Sequence, residues 1–124
     1  MGKELHLLAE SGDNIEKLLS MHIDVLISHE SFYKRLVTEA ALLPEEARNT
    51  FIAMQSMVSI HFLQVLEQEM NAEKVGKIPH HMIFNTWIGL IHYYLLNSEL
   101  FVSQGSVLTE FKNDLIKYFT MLIK

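Results

Sequence analysis

The chain has 124 residues, 49% of them hydrophobic and 20% charged, with two prolines and five glycines, which excludes a disordered or low-complexity chain. It contains no cysteine, so disulfide scaffolds, cysteine-based zinc sites and thiol nucleophiles are excluded, and a reducing, cytoplasmic location is expected. The ten basic residues are scattered and outnumbered by fifteen acidic ones, so we expect this chain alone to bind no nucleic acid, because that requires a clustered positive face.

The N-terminal region predicts two helices. The opening MGKELHLLAE has neither the apolar core nor the cleavage site of a signal peptide, and residues 3–10 instead have the pattern of a helix that ends at a Ser-Gly pair. Asp13, with Glu16 three residues later, predicts the N-cap of a helix that extends to about Ser28. Its apolar stripe includes two histidines and consists of Ile15, Leu18, Leu19, His22, Val25, Leu26 and His29.

A short helix and then the longest helix are predicted next. Ser31 can cap a short helix that ends near Pro44 and carries Phe32, Leu36, Val37 and Ala40 on its apolar side. Pro44 and the two glutamates after it form a favourable first turn, since the missing N–H of proline costs nothing there and carboxylates complement the helix dipole. This helix, residues 44–72, is apolar around most of its circumference, which predicts that it runs through the middle of the domain.

The last third of the chain predicts two further helices. Residues 74–77 are interpreted as a hinge loop, and Pro79 opens a helix to about Asn97 that contains no Asp, Glu, Lys or Arg. Its polar residues and the lack of a flanking basic cluster favour a buried helix over a transmembrane one. Ser106 predicts the cap of a final helix. Without strand-like alternation or repeats, the sequence predicts one all-α domain over residues 1–124, a bundle of about five or six helices.

The uncharged helix predicts a homodimer, because such an apolar helix needs cover on most of its circumference and 124 residues supply only about one domain's core. Gly89 lies within this helix, where glycine costs about 1 kcal/mol relative to alanine. We interpret it as a point of close approach to another helix; chance tolerance of glycine is the alternative. The residues predicted to face the partner are His81, Asn85, Gly89, His92 and Leu96, with Phe111, Leu115, Phe119 and Leu122 on the last helix.

The order of these elements resembles the C-terminal regulatory domain of TetR-family transcriptional regulators. The resemblance covers nearly the whole chain and rests on a short HESFYKRLVTEAAL helix before a long helix, then W-I-G-L-I-H-Y-Y-L and a terminal F-x-x-x-L-I-x-Y-F helix. It implies a domain that binds a small apolar or aromatic effector and dimerises through its last two helices, which form a four-helix bundle across the two-fold axis.

The resemblance also implies a mechanism. An effector between the central and penultimate helices would shift the helix that ends near Glu10 and so change the spacing of two attached DNA-binding heads. Family members begin with a three-helix DNA-binding head, and no helix-turn-helix precedes Lys3, so we expect this chain to lack the head. Contact with DNA would then require an attached head. The alternative is a helical oligomerisation or partner-binding module with no effector.

The candidate effector-binding residues are aromatic, methionine and histidine side chains on three of the predicted helices. Methionine gives an adaptable pocket wall, but each of these residues also fits a packed core, so both interpretations stay open. The candidates are His22, Met54, Met57, Val58, His61, Phe62, Phe84, Trp87 and Ile91.

The seven histidines raise the possibility of a metal site. His22, His29 and His61 lie on apolar stripes that could face each other, and zinc binds neutral imidazole. No HxxxH, HExxH or Glu-x-x-His spacing occurs, however, so buried or pocket histidines are favoured. Because a Gly-rich phosphate loop and a nucleophile elbow are also missing, the sequence predicts no catalytic residue, no metal and no cofactor.

Overall fold

The computed structural model describes residues 14–124, and the predicted helix over residues 3–10 lies outside them. Two short 3₁₀ turns, Ala40–Leu42 and Ser98–Leu100, follow the second and fourth helices of this part of the chain. None of the helices in residues 14–124 is both long and apolar enough to cross a membrane. The predicted all-α fold is confirmed by five helices: α1 Ile15–Ser28, α2 Glu30–Glu39, α3 Glu45–Asn71, α4 His80–Leu96 and α5 Val107–Ile123.

The helix boundaries follow from the capping residues. The side chain of Asn14 accepts a hydrogen bond from the Lys17 N–H at 2.9 Å, so the cap of α1 lies one residue after the predicted Asp13. The prediction that Ser31 caps the next helix is wrong, because α2 already begins one residue earlier, directly after α1. Ser106 does cap α5, through a 2.9 Å hydrogen bond from the Thr109 N–H. The predicted limits of α3 and α4 are each confirmed to within one residue.

The core lies where α1, α4, α5 and the second half of α3 meet. The ring of Trp87 on α4 lies 5.1 Å from that of Phe119 on α5, and Tyr94 lies 5.5 Å from Phe111. Because the residue pairs run in opposite directions along the two helices, α4 and α5 are antiparallel. This pairing fixes which sides of the two helices remain open to solvent.

A buried carboxylate joins the start of α1 to the end of α3. Glu69 is 7% exposed and accepts a hydrogen bond from the Ile15 N–H at 2.9 Å, which pairs a donor of the first helical turn. The Gly76 N–H donates to the Ile123 carbonyl at 2.7 Å, so the loop after α3 is tied to the end of α5. The segment predicted as a hinge is therefore fixed to the bundle.

The first half of α3 extends beyond the core, which corrects the prediction that the whole helix runs through the middle of the domain. None of residues 45–57 is buried, whereas Val58, Phe62 and Leu66 are. The 27 residues of α3 span about 40 Å, but the 17 residues of α4 span only about 26 Å, so its neighbours are too short to cover it. Apolar side chains in the first four turns therefore face open space.

Candidate functional site

Two open spaces lined by aromatic side chains flank the exposed half of α3. The first, which we call the crevice, lies between α3 and α4, has a volume of about 460 Å³ and is lined by Phe51, Ile52, Gln55, Ser56, Ser59, Ile60, Phe84 and Asn85. The second, the apolar cleft, lies between α2 and α3, has a volume of about 580 Å³ and is lined by Phe32, Leu36, Pro44, Glu46, Ala47, Thr50, Phe51 and Met54.

The lining of the crevice combines apolar and hydrogen-bonding groups. Ile60 and Phe84 supply apolar surface, and Gln55 and Asn85 supply amide groups. Small-molecule sites usually measure about 300–1,000 Å³ and place a few polar groups in mainly apolar walls. None of the lining residues carries a charge, so the crevice suits a small, neutral and mainly apolar molecule.

Gln55 also belongs to a hydrogen-bond chain that joins three helices. Its amide Nε2 donates to the Tyr33 hydroxyl oxygen at 2.7 Å, and that hydroxyl lies 2.7 Å from Nε2 of His92. The Tyr33 hydroxyl keeps its own hydrogen available, and His92 Nε2 accepts it in the tautomer whose ring hydrogen lies on Nδ1. One hydroxyl on α2 thus connects α3 to α4.

Burial keeps the two titratable groups of this hydrogen-bond chain, Tyr33 and His92, uncharged at neutral pH. Desolvation raises the pKa of Tyr33 to about 12, although the hydrogen bond from Gln55 acts in the opposite direction. Desolvation also lowers the pKa of His92 below its usual value, which keeps the imidazole neutral and able to accept the tyrosine hydrogen. The geometry and the protonation states are therefore consistent.

The sequence did not identify Tyr33 and placed Phe32 on the buried side of the second helix. The structure reverses this, because Tyr33 is 1% exposed and Phe32 is 65% exposed. Tyr33, Leu36, Val37 and Ala40 fit the same spacing of three and four residues as the predicted stripe, so periodicity alone could not choose between the two.

Five of the predicted effector-binding residues are packed core. They are at most 2% exposed and touch no water-sized space in this structure, while their lining of an effector cavity stays a prediction. The ring centroids of His22 and Phe62 are 5.5 Å apart, and those of Phe62 and Phe84 are 5.2 Å apart, so the rings fill the volume that a pocket would need. The five are His22, Val58, Phe62, Trp87 and Ile91.

The remaining predicted effector-binding residues lie at the edges of the core. Phe84 is 7% exposed and reaches the crevice, whereas Met54 lines the apolar cleft. Met57 is largely exposed on α3, and His61 is buried one turn further along the same helix. The structure therefore brings only Phe84 of the predicted set to the crevice.

His22 is a core residue that pairs with the single tryptophan. The Trp87 Nε1–H donates to His22 Nδ1 at 3.0 Å, which requires this nitrogen to carry no hydrogen. Desolvation, with a smaller contribution from His92, lowers the pKa of His22 to about 3. Among residues 14–124, no group of three histidine or carboxylate side chains is arranged to hold a metal ion.

The residues predicted to form the dimer contact divide into two groups. Leu115 and Phe119 are 4% and 1% exposed and fill the core of the single chain, and Phe111 packs against Tyr94. Leu115 and Phe119 are thus covered within one chain and Phe111 in part, and their contact with a partner stays a prediction. His92 is likewise turned inward by its hydrogen bond to Tyr33. His81, Asn85, Gly89, Leu96 and Leu122 are exposed.

An apolar surface remains open along α4 and the adjoining edge of α5. The α4 residues Met82, Gly89, Tyr93 and Leu96 lie seven, four and three residues apart in turn, which places them on one side of a helix. Tyr118 and Leu122 follow Phe111 at the same kind of spacing, on the edge of α5 that faces α4. We call these six residues, all of them exposed, the open face.

No protein-family model, curated protein or solved structure matches this chain.

Proposed function

We propose that the chain is an effector-binding and dimerisation domain of a TetR-like regulator, in which a small apolar ligand occupies the crevice and two copies associate through the open face. The observation that carries this proposal is that α4 contributes to both surfaces. Phe84 and Asn85 line the crevice, while Gly89 and Tyr93 lie on the open face. A ligand that displaces α4 would therefore act directly on the contact between two copies.

The position of the crevice supports the effector role. It lies between the central helix and the penultimate helix, where the resemblance to TetR-family regulators implies an effector. Its volume of about 460 Å³ fits a small molecule, and α3 is uncovered along this side. In this proposal the chain acts in the cytoplasm, performs no catalysis and influences DNA only through an attached head.

The charge pattern supports the dimer role. Helix α4 contains no Asp, Glu, Lys or Arg, yet Met82, Tyr93 and Leu96 are about half exposed. Exposed aromatic and methionine side chains on a helix without charged residues are typical of the centre of a contact between subunits. The second candidate, an oligomerisation module with no effector, is favoured by the packing of Trp87 and Phe62 into core rather than pocket.

The first test concerns Gly89. A Cβ at this position would meet no atom within 4 Å, so Gly89→Leu should leave a single chain folded. In a close dimer contact the same change should weaken association by about 1–3 kcal/mol, which is about 5- to 150-fold. Sedimentation equilibrium measures the dimer dissociation constants of the wild type and of Gly89→Leu. Gln68→Leu, at an exposed α3 position, is the matched control. If the wild type is a monomer at micromolar concentration, the dimer proposal is wrong. If Gly89→Leu leaves the dimer dissociation constant unchanged, Gly89 lies outside the dimer contact.

The second test uses the neutral dye Nile red, whose emission shifts to the blue in an apolar site. Ile60→Asp at the edge of the crevice should weaken binding, because it replaces apolar lining with a hydrated carboxylate, and Phe32→Asp in the apolar cleft should not. Loss of binding with Phe32→Asp alone would move the effector site to the apolar cleft. No binding to the wild-type chain would leave the oligomerisation module.

A further inference from the structure

We infer that the ligand of the crevice is a neutral molecule with a carbonyl-type acceptor that captures the Gln55 amide N–H, and that Tyr33 transmits this capture to α4 through His92. The inference rests on the proposed effector role of the crevice and identifies both the chemistry of the ligand and the residue that couples it to the dimer contact. Tyr33 is a positioning residue here, since it contacts the lining residues Gln55 and Phe51 but does not itself line the crevice.

Gln55 is placed to serve two partners. It lines the crevice on α3, and its Nε2 donates to the Tyr33 hydroxyl at 2.7 Å. Phe51 lies one turn earlier on the same side of α3, lines the crevice and packs 6.2 Å from the Tyr33 ring. A ligand against Phe51 and Gln55 therefore meets both groups that hold Tyr33 from the side of α3.

The chemistry of the ligand follows from the lining. The Gln55 amide has two N–H donors and one carbonyl acceptor. A ligand that draws the Nε2 away from Tyr33 must offer an acceptor, such as a ketone, ester or amide oxygen. A carboxylate is disfavoured because none of the eight lining residues is positively charged to compensate for its desolvation. The rest of the lining, which includes Ile52 and Phe84, is predominantly apolar and can contact an aromatic or alkyl part of the ligand.

The route to the dimer contact runs along α4. His92 Nε2 lies 2.7 Å from the Tyr33 hydroxyl oxygen and accepts its hydrogen in the Nδ1–H tautomer, and the two ring centroids are 5.6 Å apart. His92 lies three residues after Gly89 and four before Leu96 on the same helix. If a shift of the His92 side chain rotates α4, these two residues of the open face move with it. Tyr33 is 1% exposed, so solvent does not replace a lost partner.

The experiment compares the wild-type chain with Tyr33→Phe, which keeps the ring and removes the hydroxyl. Nile red, a neutral aromatic with a carbonyl acceptor, is the probe, and the dimer dissociation constant is measured with and without it. In the wild type, saturating dye should weaken the dimer at least fivefold, which is the lower end of common allosteric couplings. Tyr33→Phe should bind the dye within twofold of wild type but lose its effect on the dimer. Tyr94→Phe removes a hydroxyl from the same kind of residue outside the hydrogen-bond chain and should behave as wild type.

A spectroscopic measurement separates transmission from simple loss of structure. The ¹⁵N shift of His92 Nε2 should change when Nile red binds the wild type, because the hydrogen bond from Tyr33 changes. Gln55→Met removes the captured donor, so its ligand-free His92 signal should already lie near the dye-bound position. Pyrene, which is apolar and lacks an acceptor, should bind the wild type without moving this signal.

The outcomes distinguish the two proposals. If neither dye binds the wild type, the effector role of the crevice is wrong and this inference is wrong with it. If Nile red binds but weakens the dimer equally in wild type and Tyr33→Phe, only the coupling through Tyr33 is overturned. If pyrene moves the His92 signal as Nile red does, the requirement for an acceptor is overturned.

Discussion

Between pH 6.5 and 4.5, the free energy of unfolding should fall by up to about 1.4 kcal/mol per pH unit for each buried histidine that resists protonation. Desolvation lowers the pKa of His22 to about 3 and also lowers the pKa of His92. In the unfolded chain both imidazoles titrate near the usual value of about 6.5. Below that pH the unfolded chain binds protons that the folded chain does not. The stability is therefore complete above pH 6.5 and is lost as the pH falls toward the folded pKa values. Urea unfolding at pH 7.5, 5.5 and 4.5 measures the slope.

His22→Gln is the control for this prediction. The glutamine oxygen can accept the hydrogen bond from Trp87 Nε1–H, but the side chain does not titrate. The slope of stability against pH should therefore decrease by about one proton relative to wild type. An unchanged slope in His22→Gln would show that another group causes the loss of stability in acid.

Trp87→Ala should lower the free energy of unfolding by about 3–5 kcal/mol, because it removes the largest buried ring and leaves a cavity. Trp87 is fully buried and contacts the rings of His22 and Phe119. The change also removes the donor to His22 Nδ1. Circular dichroism must follow the unfolding, since this is the only tryptophan in the chain.

Phe51→Ala is the matched control, because Phe51 is an aromatic residue that is only half-buried and borders open space. Its truncation leaves no closed cavity and should cost roughly 1 kcal/mol, the typical value for a point substitution. Similar losses for the two variants would contradict the assignment of Trp87 to the core. They would favour the earlier interpretation in which Trp87 borders a ligand.

The sequence predicted the helices well because their signals are local. Pro44, Pro79 and Ser106 each mark a helix start through backbone chemistry that needs no tertiary contact. The run without Asp, Glu, Lys or Arg between Lys77 and Glu99 likewise predicted α4, while the cover expected from a partner stays a prediction. These features depend on neighbours in the chain, so one sequence suffices to interpret them.

The candidate site was harder to predict because it depends on helix lengths and on rotation about each helix axis. Periodicity identified an apolar stripe on α5 but not whether Leu115 and Phe119 cover their own chain or a partner. It also could not show that α3 is longer than its neighbours, and this difference in length opens the crevice at Gln55. Glu69 lies eleven residues after Val58 and seven after Phe62, on the buried stripe of α3. That spacing was the available signal for its buried role, but a carboxylate there is easily taken for a surface residue.

The hydrogen bonds from Ile15 to Glu69 and from Gly76 to Ile123 tie three helix ends together at one end of the bundle. Away from that end, the first half of α3 is held to α2 by the hydrogen bond from Gln55 to Tyr33, has no buried residue up to position 57 and borders two open spaces. We therefore expect the free energy of local unfolding to be low in the first half of α3, the arm, and high at the end that holds the first two of these hydrogen bonds. A molecule bound beside that arm can reduce its conformational entropy without rearranging the core, so part of its effect would be a change in mobility rather than in average shape.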